Sequence, residues 1–202
     1  MNITTITCGI VSTNTYVLTK DDRNCVVIDP GDTIPVLRYL ENNQLNCKEI
    51  LLTHGHFDHI MGLYDLSVKY NPEIWIQQND CHMLFDNSCF VIPELMIETN
   101  KIETCNTFNN ETIIETCVGA VLCIATPGHS AGSSCFVIDN ERTIFTGDTI
   151  FHLGMGRTDF DDSSYTDIIS SINNIFLRIP GDYKVYPGHG PSTKLELSFP
   201  LG

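Results

Sequence analysis

The sequence predicts an α/β protein in which two mixed β-sheets pack against each other and helices cover the outer faces of both sheets. Three observations support this fold class. Short apolar runs bounded by turn residues predict strands. Longer segments with apolar residues on one side predict surface helices, and each half of the chain repeats the order of strands followed by a helix. A layered sandwich accommodates that repeat. With 202 residues, we expect one domain over residues 1–202, large enough to bury a core.

The first elements are strands followed by a helix. Residues 3–20 predict two short strands, and the apolar run at residues 25–28 predicts a buried one. Turn-forming residues beginning with Asp29 follow that run, and Asp29 itself is expected either to cap the turn or to bond a nearby histidine. A helix is predicted over residues 33–43, with Thr33 as its N-cap.

A second unit repeats this order. Residues 48–53 predict a strand, residues 59–70 a helix, residues 74–76 a strand and residues 80–85 a short helix. The next stretch, residues 86–100, has no clean period and is expected to cover a pocket or to pack as an irregular connection.

The second half of the chain returns to strands. Four apolar runs without helices between them indicate an antiparallel or mixed sheet. These runs are residues 112–114, 120–125, 134–138 and 143–146. The segment 163–179 places isoleucines on one side and predicts a helix packed on a sheet, with Ser164 and Asp167 arranged as a capping box. Residues 183–186 predict the last strand.

The charge balance argues against nucleic acid as a partner. The formal net charge is −14 and only 11 residues are Lys or Arg, whereas binding a phosphate backbone requires many cations. No apolar run approaches the roughly 20 residues of a membrane span, and the N-terminus lacks the basic region of a signal peptide. We therefore expect a cytoplasmic protein with no membrane or nucleic-acid partner. The sequence does not indicate the oligomeric state.

Nine cysteines are scattered along the chain, and none is paired as C-x-x-C. Several, such as Cys25 and Cys135, lie in apolar, strand-like runs. Free thiols in a reducing compartment are therefore expected, rather than a disulfide framework or a zinc knuckle.

Four side chains that can bind metal follow one predicted strand within six residues: His54, His56, Asp58 and His59. They lie on the turn between a strand and a helix, where α/β sheets place their chemistry. Each of these histidines alone could belong to a solvated loop. Together, however, the four polar side chains would repel one another or stay unpaired unless a cation gathered them. The array therefore predicts a metal site.

Three later positions repeat this pattern. His129, Asp148 and His189 each follow a predicted strand and have a glycine beside them, which lets the backbone approach closely. Mixed nitrogen and oxygen ligands suit zinc, iron or manganese better than calcium or magnesium. Seven ligands exceed one tetrahedral zinc site but suffice for two metal ions with one shared ligand. Such a pair activates water for hydrolysis without a serine or cysteine nucleophile.

In combination, these motifs resemble the metallo-β-lactamase superfamily. The resemblance implies an αββα sandwich and two divalent metal ions, with zinc expected and iron or manganese as alternatives. It also implies a hydroxide that bridges the metals, with Asp58 and Asp148 as the catalytic carboxylates. The implied ligands are His54, His56 and His129 for the first metal, Asp58, His59 and His189 for the second, and Asp148 as the bridge.

Two further motifs, at residues 126–133 and 156–160, resemble the glyoxalase II branch of that superfamily. The resemblance implies hydrolysis of hydroxyacylglutathione thioesters. The chain resembles the short members of this branch, which lack the C-terminal helical domain. Arg157 matches a basic residue that contacts glutathione in this branch, although a structural ion pair is an equally weighted interpretation of Arg157.

Two other activities stay open at this point. Residues 156–160 also fit a persulfide dioxygenase-like enzyme with a single iron, and a superfamily hydrolase of another ester or lactone is the second alternative. A binding module without catalysis is disfavoured, because all seven ligand positions are filled.

Overall fold

Two β-sheets form the centre of the protein and pack against each other, with helices on their outer faces. The computed structural model describes residues 1–20, 23–85 and 102–198. Within these residues each sheet contains six strands. The predicted sandwich of two mixed sheets with outer helices is therefore confirmed.

The first sheet comes from the N-terminal half and keeps its strands in chain order. The first three strands pair antiparallel, and the third to the sixth pair parallel. These strands are β1 (Asn2–Cys8), β2 (Thr13–Thr19), β3 (Asn24–Ile28), β4 (Asn46–Leu51), β5 (Glu73–Gln77) and β6 (Asn106–Phe108). Because the parallel strands end at one edge, the loops that follow them lie together.

The second sheet comes from the C-terminal half. Its strands are β7 (Glu111–Thr116), β8 (Gly119–Ala125), β9 (Ser134–Ile138), β10 (Thr143–Gly147), β11 (Lys184–Pro187) and β12 (Thr193–Lys194). They lie in the order β12-β11-β10-β9-β8-β7. All neighbours are antiparallel except β10 and β11, which are parallel.

Helices cover the two outer faces. Among the described residues, the α-helices are α1 (Thr33–Asn42), α2 (Phe57–Ile60), α3 (Leu63–Tyr70), α4 (Tyr165–Arg178) and α5 (Leu195–Ser198). Two 3-10 helices in the same part of the chain span Gln78–Leu84 and Asp139–Glu141. None of the helices in the described parts of the chain has the length and apolar character needed to cross a bilayer.

Alternation along the strands builds the layers. On β2, Val17 faces the core beneath α1 to α3, whereas Tyr16 and Leu18 face the core between the two sheets. Phe136 and Phe145 from the second sheet fill the same middle layer and are fully buried. Successive side chains of a strand point to opposite faces of the sheet. In a sheet that is covered on both sides, both sets of side chains are therefore buried.

Helix α4 follows the predicted pattern closely. The Ser164 hydroxyl accepts a hydrogen bond from the Asp167 backbone N–H at 3.2 Å, so the predicted N-cap is confirmed. Ile168, Ile172 and Ile175 are buried against the second sheet. The row of isoleucines thus determines which side of α4 packs against the second sheet.

Two local predictions are wrong. The N-cap of α1 is Asp32 rather than Thr33, because the Asp32 side chain accepts from the Ile34 backbone N–H at 3.1 Å. The helix predicted over residues 59–70 is split into α2 and α3. The break lies beside Gly62. Its N–H donates to the Pro30 carbonyl at 2.8 Å instead of to a carbonyl one turn earlier in a helix.

Other predictions differ in detail or stay untested. The predicted helix at residues 80–85 is the 3-10 helix Gln78–Leu84, and the short elements β6, β12 and α5 were not predicted. The prediction for residues 86–100 lies outside the described residues. The expectation of one domain over residues 1–202 stays a prediction.

A core substitution in α4 tests the packing of the second sheet. Ile172→Ala removes a side chain that is 1% exposed, so we expect the free energy of unfolding to fall by about 3 kcal/mol. Leu177→Ala, on the solvent side of the same helix at 84% exposure, is the matched control and should change it by less than about 0.5 kcal/mol. Urea unfolding measures both, and equal losses would contradict the assigned orientation of α4.

Candidate metal centre

The loops at one end of both sheets carry all seven predicted ligand residues. Four come from the first sheet, in the loop after β4 and in α2. The other three come from the loops after β8, β10 and β11 of the second sheet. They are His54, His56, Asp58, His59, His129, Asp148 and His189. The site is therefore assembled only when the two sheets pack together.

Three groups of ligand atoms meet within 4.8 Å of one another. The first group is His54, His56 and His129, the second is His54, His59 and Asp148, and the third is Asp58, His59 and His189. The first and third groups contain the same residues as the two ligand trios that the resemblance implied. Their roles as ligands stay a prediction.

Asp148 lies between the trios. Its Oδ1 is 3.5 Å from His59 Nε2, and its Oδ2 is 3.4 Å from His129 Nε2 and 3.6 Å from His189 Nε2. One carboxylate thus contacts members of both trios, which is the position that a shared ligand requires.

Several buried atoms of this cluster lack hydrogen-bond partners. His54 Nε2, His59 Nε2 and Asp148 Oδ1 are all buried without a partner. An unsatisfied buried polar atom costs about 1–3 kcal/mol, and three of them converging on one point are hard to explain by packing. Nitrogen and oxygen donors suit a divalent transition metal, so the cluster fits a metal site.

Hydrogen bonds on the far side of the rings orient the imidazoles. His59 Nδ1 lies 2.9 Å from an Asp29 oxygen, and His129 Nδ1 lies 2.9 Å from the Arg157 carbonyl. His54 Nδ1 lies 3.1 Å from the Thr53 hydroxyl. Because a proton on Nδ1 is held by each oxygen, Nε2 is left to face the centre. His56 instead presents Nδ1, 3.0 Å from His129 Nε2.

The pKa values of the buried histidines shift in different directions. Burial, followed by the neighbouring imidazoles, lowers the pKa of His54 well below its ordinary value and that of His56 to about 3. Both rings are therefore neutral at physiological pH, which is the form that binds metal.

The carboxylates act in the opposite direction on His59. Burial alone would lower its pKa, but Asp58, Asp148 and Asp29 outweigh burial and raise the pKa to about 10. His59 consequently carries a proton in the metal-free protein at neutral pH. Binding of a metal ion at this ring would therefore require the loss of that proton.

Asp29 supports the centre from behind. Its carboxylate accepts from the Thr53 backbone N–H at 2.8 Å and from the Thr53 hydroxyl at 2.6 Å, in addition to contacting His59. Of the two interpretations of this residue, the histidine partner is the one observed. A carboxylate behind a ligand histidine fixes its tautomer and orientation.

Asp80 joins the loops of the two sheets. Its Oδ2 accepts from the Gly55 N–H at 3.0 Å and from the Ser130 hydroxyl at 2.7 Å, and its Oδ1 accepts from the Gly132 N–H at 2.5 Å. Gly55 lies between His54 and His56, and Ser130 follows His129. One buried carboxylate therefore sets the separation of the loops that carry the first trio.

Strand β2 fixes the loop of His189. The Asn14 side chain donates to the carbonyls of Pro187 at 3.1 Å and Gly190 at 2.8 Å, and the Tyr16 hydroxyl donates to the Pro187 carbonyl at 2.5 Å. The first sheet thus positions His189, a predicted ligand that the second sheet carries.

Two glycines permit the close approach of loops. A Cβ on Gly188 would lie 2.2 Å from Asp148 Oδ1, and a Cβ on Gly156 would lie 2.0 Å from the Asp148 carbonyl oxygen. No side chain fits at either position. For Gly188, the predicted reason for a glycine beside a ligand is therefore confirmed.

A cavity of about 430 Å³ opens over the centre. Several of the predicted ligands form its floor, and its walls are mostly apolar: Val11, Phe57, Phe151, Met155 and Phe160. Arg157 also lines this cavity, in a bidentate ion pair with Asp159 at 2.6 and 2.5 Å. The Arg157 guanidinium lies 4.6 Å from the centre of the Phe160 ring. Arg157 therefore makes a structural ion pair and also reaches the candidate substrate site.

Sequence reasoning missed two supporting residues. Asp80 follows the predicted strand at residues 74–76, so its place after a strand was a usable signal. Thr13 donates to Asp58 Oδ2 at 2.9 Å, and nothing in the local sequence indicates this contact. His82, a histidine outside the cluster, is exposed.

Comparison with known proteins gives concordant matches over nearly the whole chain. Residues 8–189 match a family model described as the metallo-beta-lactamase superfamily. The hydroxyacylglutathione hydrolase GloC of Haemophilus influenzae is 32% identical over 209 aligned residues, covering 96% of this chain and 93% of that protein. A hydroxyacylglutathione hydrolase of Pelagibacter ubique is 31% identical, with 94% of this chain and 71% of that protein covered.

Among solved structures, the crystal structure of the BLEG-1 B3 metallo-beta-lactamase is also similar. It has a TM-score of 0.90 and 30% sequence identity, with 97% of this chain and 95% of that chain covered. Relatives of comparable identity therefore carry names that refer to different substrates.

Neutralising Asp29 tests its support of His59. We expect Asp29→Asn to weaken metal affinity by about 10- to 100-fold, as is typical when the partner of a metal-bound histidine is changed. Asp32→Asn on the same turn is the control, because asparagine also caps α1 well. Competition with a chelator measures both variants. Unchanged affinity in Asp29→Asn would mean that its bond to His59 does not contribute to the site.

Proposed function

The chain belongs to the metallo-beta-lactamase superfamily, and from this premise we propose that it is a metal-dependent hydrolase of thioesters, with glutathione thioesters as the substrate class. One observation carries the proposal: two trios of ligand atoms flank the shared carboxylate of Asp148 beneath an open, largely apolar cavity. The names of the Haemophilus and Pelagibacter relatives support the choice of substrate class.

The residues present fit two divalent metal ions. His54, His56 and His129 would hold the first, Asp58, His59 and His189 the second, and Asp148 both. Zinc is the proposed metal, with iron or manganese as alternatives, because all three accept nitrogen and oxygen ligands. When bound, the metal pair supplies a Lewis acid for the carbonyl oxygen and lowers the pKa of water.

Asp58 and Asp148 are the proposed catalytic carboxylates. Both face the cavity. Burial opposes ionisation of Asp58, but His59, His189 and the Thr13 hydroxyl together hold its pKa below the usual range. An ionised carboxylate at this position accepts a hydrogen bond from the attacking water and orients it. Hydrolysis then adds water across the carbon–sulfur bond and releases a carboxylic acid and a thiol.

The cavity walls select and shield the substrate. Phe57, Phe151 and Phe160 provide an apolar surface beside the reacting carbonyl, which excludes bulk water and strengthens the local electrostatics. Arg157 is proposed to bind a carboxylate of glutathione. This carboxylate must compete with Asp159, which already forms a bidentate pair with the guanidinium.

Purified, fully metallated protein should hydrolyse S-D-lactoylglutathione, and release of glutathione measures this directly. The same preparation is tested with a persulfide, a lactone and a β-lactam, alongside elemental analysis. Oxygen uptake with a single iron per chain would favour the dioxygenase alternative, and turnover of the lactone or β-lactam alone would favour another hydrolase. Absence of thioester turnover with two metals bound would reject the proposal.

Asp148→Ala tests the shared carboxylate. Because Asp148 contacts both trios, we expect metal content and kcat/KM to fall together, with kcat/KM reduced at least about 100-fold. Asp161→Ala, an exposed carboxylate near the same cavity, should leave both quantities unchanged. Elemental analysis and the thioester assay report the two effects, and full activity in Asp148→Ala would disprove the bridging role.

Paired variants distinguish the two interpretations of Arg157. If Arg157 binds the substrate, Arg157→Gln should raise KM for the glutathione thioester about 10-fold, with kcat nearly constant. Asp159→Asn frees the guanidinium and should lower KM about two-fold. A purely structural ion pair predicts that both variants change KM and stability in the same direction, and that result would exclude substrate binding by Arg157.

A further inference from the structure

Two thiols outside the metal centre lie in contact. Cys81 belongs to the 3-10 helix Gln78–Leu84, and Cys105 immediately precedes β6 (Asn106–Phe108). Their Sγ atoms are 3.0 Å apart, and both residues are half-buried. A disulfide has an S–S length of about 2.03–2.05 Å, so a small shift of the side chains would bring these sulfurs into bonding distance.

The pair differs from the other described cysteines. Cys25 and Cys47 also contact each other, but both are fully buried. Cys123 and Cys135 are fully buried as well, which keeps an oxidant in solution from reaching their sulfurs. Among the cysteines that the structure describes, only Cys81 and Cys105 combine mutual contact with partial exposure of both members.

We infer that Cys81 and Cys105 form a reversible disulfide, and that this pair is a redox modification site distinct from the metal centre. The oxidant is a low-molecular-weight disulfide such as glutathione disulfide. In the reduced form both residues are free thiols.

The reaction proceeds by two thiol–disulfide exchanges. Cys81, which is partly exposed, reacts first, as its thiolate. It attacks one sulfur of the oxidant, which forms a mixed disulfide and releases one small thiolate. The Cys105 thiol then loses its proton and attacks the Cys81 sulfur, and the second small thiol leaves. The protein loses two protons and two electrons, and one small disulfide takes them up and is reduced to two thiols.

Cys81 lies next to a residue that supports the metal centre, so the disulfide would form close to that support. Cys81 follows Asp80, whose carboxylate joins the loops of the first ligand trio through Gly55, Ser130 and Gly132. The disulfide would tie the helix that carries Asp80 to the strand β6 at the edge of the first sheet. It would also close a loop of about 25 residues, which stabilises the protein by limiting the unfolded chain.

The test exposes metal-loaded protein to glutathione disulfide and maps the product without reduction. Cleavage before Asp80 and Asp86 separates Cys81 from Cys89, and cleavage after Glu103 and Glu111 isolates Cys105. We expect a Cys81–Cys105 bond, a loss of two hydrogen atoms in mass, and a Tm higher by roughly 5 °C that is reversed by a dithiol reductant.

Matched variants complete the experiment. Cys81→Ser and Cys105→Ser should each abolish the bond and the rise in Tm, whereas Cys117→Ser and Cys89→Ser should retain both. The inference is overturned by a bond that involves Cys89, by a glutathione adduct that persists on Cys81, or by thiols that stay reduced under these conditions. A Cys81–Cys105 bond without a rise in Tm would contradict its stabilising role.

Discussion

The convergence of imidazoles and carboxylates at one end of the sandwich is the constraint on which the rest of the structure depends. His54, His59 and Asp148 each bury a polar atom without a hydrogen-bond partner, and burying such atoms is costly. The folded chain tolerates this cost because the two sheets hold the loops in place through bonds remote from the centre. A cation that coordinates these atoms would remove this penalty and would bind only the folded state. Metal binding would therefore stabilise the fold.

The hydrogen bonds that support the centre share one property: each joins residues that are far apart in the sequence. Asp29, at the end of β3, holds Thr53 and His59. Asp80, after β5, connects the loops of both sheets, and Asn14, on β2, holds the loop that carries His189. Since each ligand loop is fixed from a different strand, the ligand positions follow from the register of the sheets rather than from the loops themselves. Rigid elements behind a site keep its geometry accurate.

The sequence predicted what depends on local pattern and missed what depends on tertiary contact. Apolar runs followed by Gly–His or Gly–Asp marked the loops after β8, β10 and β11, since the rule that chemistry follows the strands is local. Gly62 breaks the helix at residues 59–70 because it packs against the turn at Pro30, a contact between distant positions. Thr13 contacts Asp58 from another strand, and no pattern near Thr13 shows this. Its role became visible only with the sheets assembled.

The cavity places a further limit on recognition. Arg157 is the only Lys or Arg among the described residues that line it, and this guanidinium is exposed and already paired with Asp159. A substrate carboxylate therefore exchanges one ion pair for another, and the net gain of such an exposed exchange is small. The protein as a whole carries a net charge of −14, which repels an anionic substrate at long range. For the thioester that we propose as substrate, most of the binding energy would then come from contact with Phe57, Phe151 and Phe160, and the shape of its acyl and thiol groups would decide selectivity more than their charge.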